Sequence, residues 1–299
     1  MNSSDQPSRS RVLFLLIATG TLLGLSTNMA KIAANANLAP SAFLAWSGLI
    51  AGCALLAMTM IRRNALRWTG VSLRYAVFSA ALSLALPNLL FFSAVPHVGA
   101  SFVALCITFP PLFTYLGALL LRLERPDAWR IAGVALALTG AAYIALLKLN
   151  VPDAPIVWIG AALIGPVILA AGNLYRTVAW PPGVRPDQLA PGLLIAAAGL
   201  VALASLILGL SLTIKGPMQA GLIVAQAAIF AAQFSLLFQL QRHGGPVYLS
   251  LLGAVAAITG VPFAFSVLGE SSPPGLLLGG ILIAAGVVVL TLHSTQRPR

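Results

Sequence analysis

Ten apolar stretches run through the chain, each long enough to cross a bilayer as a helix, which takes about 20 residues. Their cores fall at 12–34, 41–61, 73–95, 98–121, 128–147, 156–177, 190–212, 218–240, 246–268 and 275–292. The polar breaks between them are short and rich in Pro, Asn, Asp and Arg, which leaves no room for a separate soluble domain. Apolar positions follow a helical period and do not alternate. The pattern therefore predicts helices and not barrel strands, the two forms that satisfy every backbone group in hydrocarbon.

The pattern occurs twice. A slide of 146 residues carries His97 onto His243, Gly99 onto Gly245, Glu124 onto Glu270, Gly133 onto Gly279 and Gly140 onto Gly286, with no gap. In both copies a long apolar run ends in Glu, and after a polar turn a second run carries two Gly seven residues apart. Asn28 and Lys31 stand three apart in the first span, as Asn173 and Arg176 do in the sixth, at offset 145. This reads as a duplication. Five spans per half is an odd number, so the second copy enters from the opposite side. The expectation is an all-α membrane protein of ten transmembrane helices in two inverted five-helix repeats. A tail at 1–11 precedes the first repeat (12–149), and the second (150–293) precedes a tail at 294–299.

Composition sharpens the picture. The chain is 59% hydrophobic and 8% charged, against about 25% charged in soluble domains. Its net charge of +11 is distributed as a topology signal. One side holds Arg9, Arg11, Arg62, Arg63, Arg67, Arg74, Arg122, Arg125, Arg130, Arg176, Arg185, Arg242, Arg297 and Arg299, and the other only Lys31, Lys148 and Lys215. Cations gather on the cytoplasmic side, so both termini are expected there, and no basic patch is left for a nucleic acid. Ala34-Asn35-Ala36 resembles a signal-peptide cleavage site, but the apolar run before it is too long for an h-region. Cys53 and Cys106 lie inside spans and read as small packing residues, with no disulfide framework and no metal site.

Candidate chemistry lies in the spans. Gly20 and Gly24 in span 1, and Gly48 and Gly52 in span 2, form small faces that admit a neighbouring helix. Asn28 and Asn173 require a partner or water inside the membrane, so each is either a solute contact or interhelical glue. Lys31 and Arg176 lie toward the membrane faces, where such side chains snorkel. Ser79, Ser83 and Pro87 share one stripe of span 3, followed by Asn88. Gln226, Phe230 and Gln233 form another in span 8, with Phe234 beside it. Amides flanking an aromatic ring at mid-depth suit the wall of a cavity for an amphipathic solute, or bond neighbouring helices. Pro87, the pair Pro110 and Pro111, Pro166 and Pro262 interrupt their helices, and Pro110/Pro111 and Pro262 do so in equivalent spans. That makes them hinge candidates, although proline also serves packing.

The six carboxylates, Asp5, Glu124, Asp127, Asp153, Asp187 and Glu270, all fall in a tail or at turns, as do His97, His243 and His293 at span ends. This argues against an intramembrane hydrolase, a carboxylate proton relay and a binder of bare lipophilic cations. There is no Walker motif for an ATP-driven pump and no selectivity-filter sequence. An inverted repeat supplies two related conformations, one open to each side, which suits a carrier.

Gly99-Ala100-Ser101 through Pro111-Leu112, then Leu121-Arg122-Leu123-Glu124-Arg125 and Gly133-x6-Gly140, resemble the EamA repeat of the drug/metabolite transporter superfamily. Leu23-Gly24-Leu25-Ser26-Thr27-Asn28 resembles that repeat's first helix. The resemblance covers the chain twice and is specific for fold more than for substrate. Length and character resemble the YddG-type amino-acid exporters of bacterial inner membranes. This implies a ten-helix carrier that exports amino acids, aromatic ones included, without a cofactor. A carrier of the same fold for a nucleoside, phosphorylated metabolite or drug is the alternative, and an intramembrane enzyme or channel a more distant one. Where the repeat often places Arg early in span 2, this chain has Trp46. A zwitterion would be held by Asn28, Ser83, Asn88, Asn173, Gln226 and Gln233, with Trp46, Tyr175, Phe230 and Phe234 against an apolar side chain. A core without carboxylates favours release down a gradient or exchange over proton antiport. Glu124 and Glu270, at turns, are expected to cap the helix that follows.

Overall fold

The computed structural model describes residues 9–62, 69–120, 126–149, 156–250, 252–270 and 275–292. Asp5, Arg63, Arg67, Arg122, Glu124, Arg125, Asp153, His293, Arg297, Arg299, the tail at 294–299 and most of the tail at 1–11 lie outside the described residues. So do the side chains of Arg9, Lys148, Asp187 and His243.

Every regular element among the described residues is helical. The helices are α1 (Arg9–Asn35), α2 (Pro40–Ile61), α3 (Gly70–Ala80), α4 (Leu86–Val98), α5 (Ala100–Cys106), α6 (Pro110–Leu120), α7 (Ala128–Leu149), α8 (Ile156–Val178), α9 (Pro186–Leu208), α10 (Pro217–Ser250), α11 (Leu252–Ser266) and α12 (Leu276–Leu292). Seven helical stretches are long and apolar enough to span a membrane, and three shorter apolar ones, Ala128–Gly140, Leu252–Ser266 and Leu277–Val289, accompany them. Large apolar side chains such as Phe14, Met60, Ile61, Leu206, Ile207 and Ile258 point outward, as a lipid-facing surface requires. This is a multi-pass membrane protein.

Local chemistry sets the ends. Asn37, at φ 55°, turns the chain between α1 and α2, a conformation asparagine tolerates, and Pro40 opens α2 where no N–H is needed. Thr69 and Ser72 exchange bonds as a capping box at the start of α3. We call the face where α1 begins proximal and the other distal. The span expected at 190–212 ends four residues early, because Gly209 leaves the helix at φ 67° and ends α9 at Leu208. The predicted break near 241–245 is absent: α10 runs on to Ser250.

Two predicted spans are interrupted at proline. Between α3 and α4, Ala81–Ala85 forms a π turn in which the Leu86 N–H reaches back to the Ala81 carbonyl. Pro87, next in line, has no N–H to give, and Asn88 Nδ2 donates to the Leu84 carbonyl at 3.0 Å. Between α5 and α6 the chain turns at Ile107–Phe109, just before Pro110 and Pro111. Pro111 leaves the Ile107 carbonyl without a helical donor, and Gly253 of α11 packs directly against that carbonyl. Pro166 and Pro262 sit inside α8 and α11 without ending them.

Glycine faces fix the helix pairs. α1 and α11 run parallel and in register: Gly20 meets Leu252 and Val255, and Gly24 meets Ala256 and Thr259. α2 crosses α9, with Gly48 against Leu194 and Ala198 and Gly52 against Leu194 and Ile195. α7 packs chiefly on α12. There, a Cβ added to Gly140 would lie 2.7 Å from the Gly279 carbonyl oxygen, and one on Gly286 2.5 Å from that of Gly133. Without hydrophobic drive between helices in lipid, such backbone approach is a main source of association.

Candidate functional site

The stripe of α10 turns inward. Gln226, Phe230, Gln233 and Phe234 are all buried, among the helices that α10 packs on, α1, α2 and α9. The rings of Phe230 and Phe234 meet edge to face at 6.0 Å. Gln226 Nε2 donates to Ser26 Oγ of α1 at 2.6 Å, which ties the two helices. Its Oε1, and Oε1 of Gln233, are buried with no hydrogen-bond partner. Asn28 shows the same division. Its Nδ2 donates to the carbonyls of Gly24 at 2.9 Å and Gly260 at 3.0 Å, across the α1–α11 crossing. Two carbonyl partners fix which end of the amide is nitrogen, and Oδ1 is left buried without a partner. The glue and the open acceptor are thus opposite ends of one side chain. A buried acceptor without a donor costs about 1–3 kcal/mol, so each of the three oxygens is a candidate acceptor for water or solute.

A second polar group lies between α3, the π turn and α8. Ser83 is buried, its hydroxyl unpartnered, and Gly172 packs so close that an added Cβ would lie 2.5 Å from Ser83 Oγ. Asn173 Oδ1 accepts from Arg176 Nη2 at 2.8 Å. Tyr175 stacks on Tyr75 at 6.0 Å. Arg176 is 4% exposed, so it is enclosed by protein and does not snorkel.

Two candidates serve the scaffold. Asn88 spends its amide nitrogen on the carbonyl exposed by the π turn. Trp46 is 38% exposed and its indole donates to the Leu212 carbonyl at 2.9 Å. With Ser41 bonded to the Ser211 carbonyl and Gln219 to that of Ala36, it straps the segment after α9 onto the distal face.

Glu270 corrects the capping expectation. Among the described residues its bonds go to α5 and not to α12, the helix that follows. It crosses the bundle to α5, accepting from Ala100 N at 2.6 Å, Ser101 N at 3.0 Å and Ser101 Oγ at 2.7 Å. Those are the N–H groups a helix start leaves unsatisfied, and the helix dipole favours a carboxylate there. Gly99, at φ 89°, makes the turn, and a Cβ on it would lie 3.1 Å from Glu270 Oε2. The sequence placed Glu270 at a turn but carried no sign of its partner 170 residues away. Tyr75, unremarked in the sequence, sits four residues before Ser79 and extends the Ser79–Ser83 stripe; that spacing was its signal.

The class is therefore a helical multi-pass membrane protein with unsatisfied polar groups sealed in its interior. Residues 10–146 match the model of the EamA-like transporter family. Over 98% of its length the chain is similar to a protein of solved crystal structure, all of which (100%) it covers, at TM-score 0.66 and 21% identity. That likeness is one of fold. No curated protein sequence gives a significant match.

Proposed function

We propose that the protein is an EamA-type secondary transporter that exports amino acids, aromatic ones included, by alternating access. The observation that carries this reading is the buried, donorless amide oxygens of Asn28, Gln226 and Gln233, the last two flanking Phe230 on α10. Neutral acceptors suit an ammonium group whose charge the solute itself balances, because a net-neutral solute costs less to bury than an ion. The family match over the first half supports a carrier of small solutes.

The contacts also support two inverted repeats, 12–149 and 150–293. The 146-residue slide turns the Gly140–Gly279 contact into the Gly286–Gly133 contact, as a two-fold relation between α7 and α12 requires. The same slide maps the packing of α1 on α11 onto that of α8 on α6. The arginine distribution supports proximal as cytoplasmic, in a bacterial inner membrane. Pro87, Pro110, Pro111, Pro166 and Pro262 are the proposed hinges. Asn173, Tyr175 and Ser83 are assigned to the solute path, with Asn88 and Trp46 at its scaffold.

Counterflow in proteoliposomes tests this. Vesicles preloaded with each amino acid in turn are expected to accelerate entry of labelled phenylalanine for several of them. Gln233→Leu is expected to raise KM about tenfold, the loss of one buried hydrogen bond to a charged group, with the protein still monodisperse. No acceleration by any amino acid, from folded protein, overturns the amino-acid reading.

A further inference from the structure

The acceptors on α1 and α10 have a complement elsewhere in the bundle. Arg176 Nε and Nη1 and the hydroxyl of Ser83 are buried with no partner, and the buried hydroxyls of Tyr75 and Ser79 lie beside each other with no other partner. The three hydroxyl residues step along one face at four-residue intervals. That face lies along α8: the Tyr75 hydroxyl is within electrostatic reach of Arg176, and Ser83 lies against Gly172, one turn earlier. Rings wall the place. Tyr175 stacks on Tyr75, and Trp180 meets Tyr75 edge-on at 6.1 Å. The described acidic side chains are engaged elsewhere, Asp127 on the Arg130 N–H at the start of α7 and Glu270 on α5. A guanidinium enclosed in a membrane bundle with no counter-charge is expensive to keep, and a ligand that supplies the charge relieves the cost.

Resting on the reading of the protein as an amino-acid carrier, we infer that Arg176, Tyr75 and Ser79 form the subsite that takes the solute's carboxylate. The rings of Tyr75, Tyr175 and Trp180 receive its apolar or aromatic side chain. One guanidinium and two hydroxyls balance a single negative charge. A phosphate dianion would call for a second cation, and Lys31, on the distal part of α1, is not part of the cluster. Arg176 contacts the carboxylate directly through charge-assisted bonds, which are the strong ones.

The test is thermal stabilisation of the purified full-length protein by phenylalanine, by 3-phenylpropionate (no amine) and by phenethylamine (no carboxylate), alongside counterflow. Both carboxylates are expected to raise the melting midpoint and phenethylamine to do so weakly or not at all. Arg176→Gln is expected to weaken both carboxylates about tenfold to a hundredfold, and Arg176→Lys to recover part of that. Tyr75→Phe with Ser79→Ala, which keeps the charge, is expected to weaken them several-fold and serves if Arg176→Gln does not fold. Unchanged carboxylate affinity in both the folded Arg176→Gln protein and the double variant overturns the subsite, and so does a wild type that neither carboxylate stabilises. Arg176-dependent binding of 3-phenylpropionate with no counterflow of any amino acid would leave the subsite standing and remove the amino-acid reading instead.

Discussion

Gly24→Leu is expected to lower the melting midpoint and the yield of folded protein. A Cβ at position 24 would lie 2.5 Å from the Ala256 carbonyl oxygen, 2.7 Å from Thr259 Oγ1 and 3.1 Å from the Gly260 nitrogen. Two of these three are backbone and cannot swing aside. α1 would have to retreat from α11, which also breaks the Asn28–Gly260 bond one turn on. Overpacking costs about 1–3 kcal/mol and the lost bond about 1 kcal/mol more, against a total stability of about 5–15 kcal/mol. The check is the yield of monodisperse protein and its melting midpoint. Gly199→Leu is the control, since a Cβ there meets nothing within 4 Å, and it is expected to behave as wild type. Equal behaviour of the two variants would remove the α1–α11 crossing from the account of what holds the bundle together.

Glu270→Gln is expected to free α5 from the distal face. Both carboxylate oxygens accept, and three donors converge on them. An amide offers one oxygen and turns its NH2 toward an N–H, so at least one donor is left facing another. The loss is about 2–4 kcal/mol for bonds to a charged acceptor, or about thirtyfold and upward in the open population. Cys106, at the end of α5 and 1% exposed, reports it. In a Cys53→Ala background, labelling by a membrane-impermeant maleimide is expected to accelerate at least about tenfold with Glu270→Gln. An unchanged rate in folded protein would mean that the Glu270 contact is ornament and not a closure.

Much of this was legible in the sequence because it is local. Apolar runs, prolines and glycine faces act over one or two helical turns, so the spans lie within a few residues of the helices and Gly24, Gly52, Gly140 and Gly286 mark real crossings. The Gln226–Phe230–Gln233 stripe was legible as a period, and its inward aim follows from the cost of amides in lipid. What was not legible is pairing. Nothing in the residues around Glu270 names α5. The enclosure of Arg176 depends on which helix covers its end of the membrane, and without that a snorkelling arginine reads the same. The spacing of Asn88 gives no hint of the π turn whose Leu84 carbonyl its amide nitrogen reaches. The α10 helix running through the expected break near 241–245 has no local explanation in Gly244 and Gly245.

The bonds at Glu270 bear on the symmetry of the two halves. On the two-repeat reading the partner of Glu270 is Glu124, and the positions matching Ala100 and Ser101 are Pro246 and Val247. Proline has no N–H and valine no hydroxyl, so only one of the three donors has a counterpart. On that reading the tie at the distal face has donors that the sequence does not repeat in the other half, and Glu270→Gln is expected to destabilise the protein more than Glu124→Gln does.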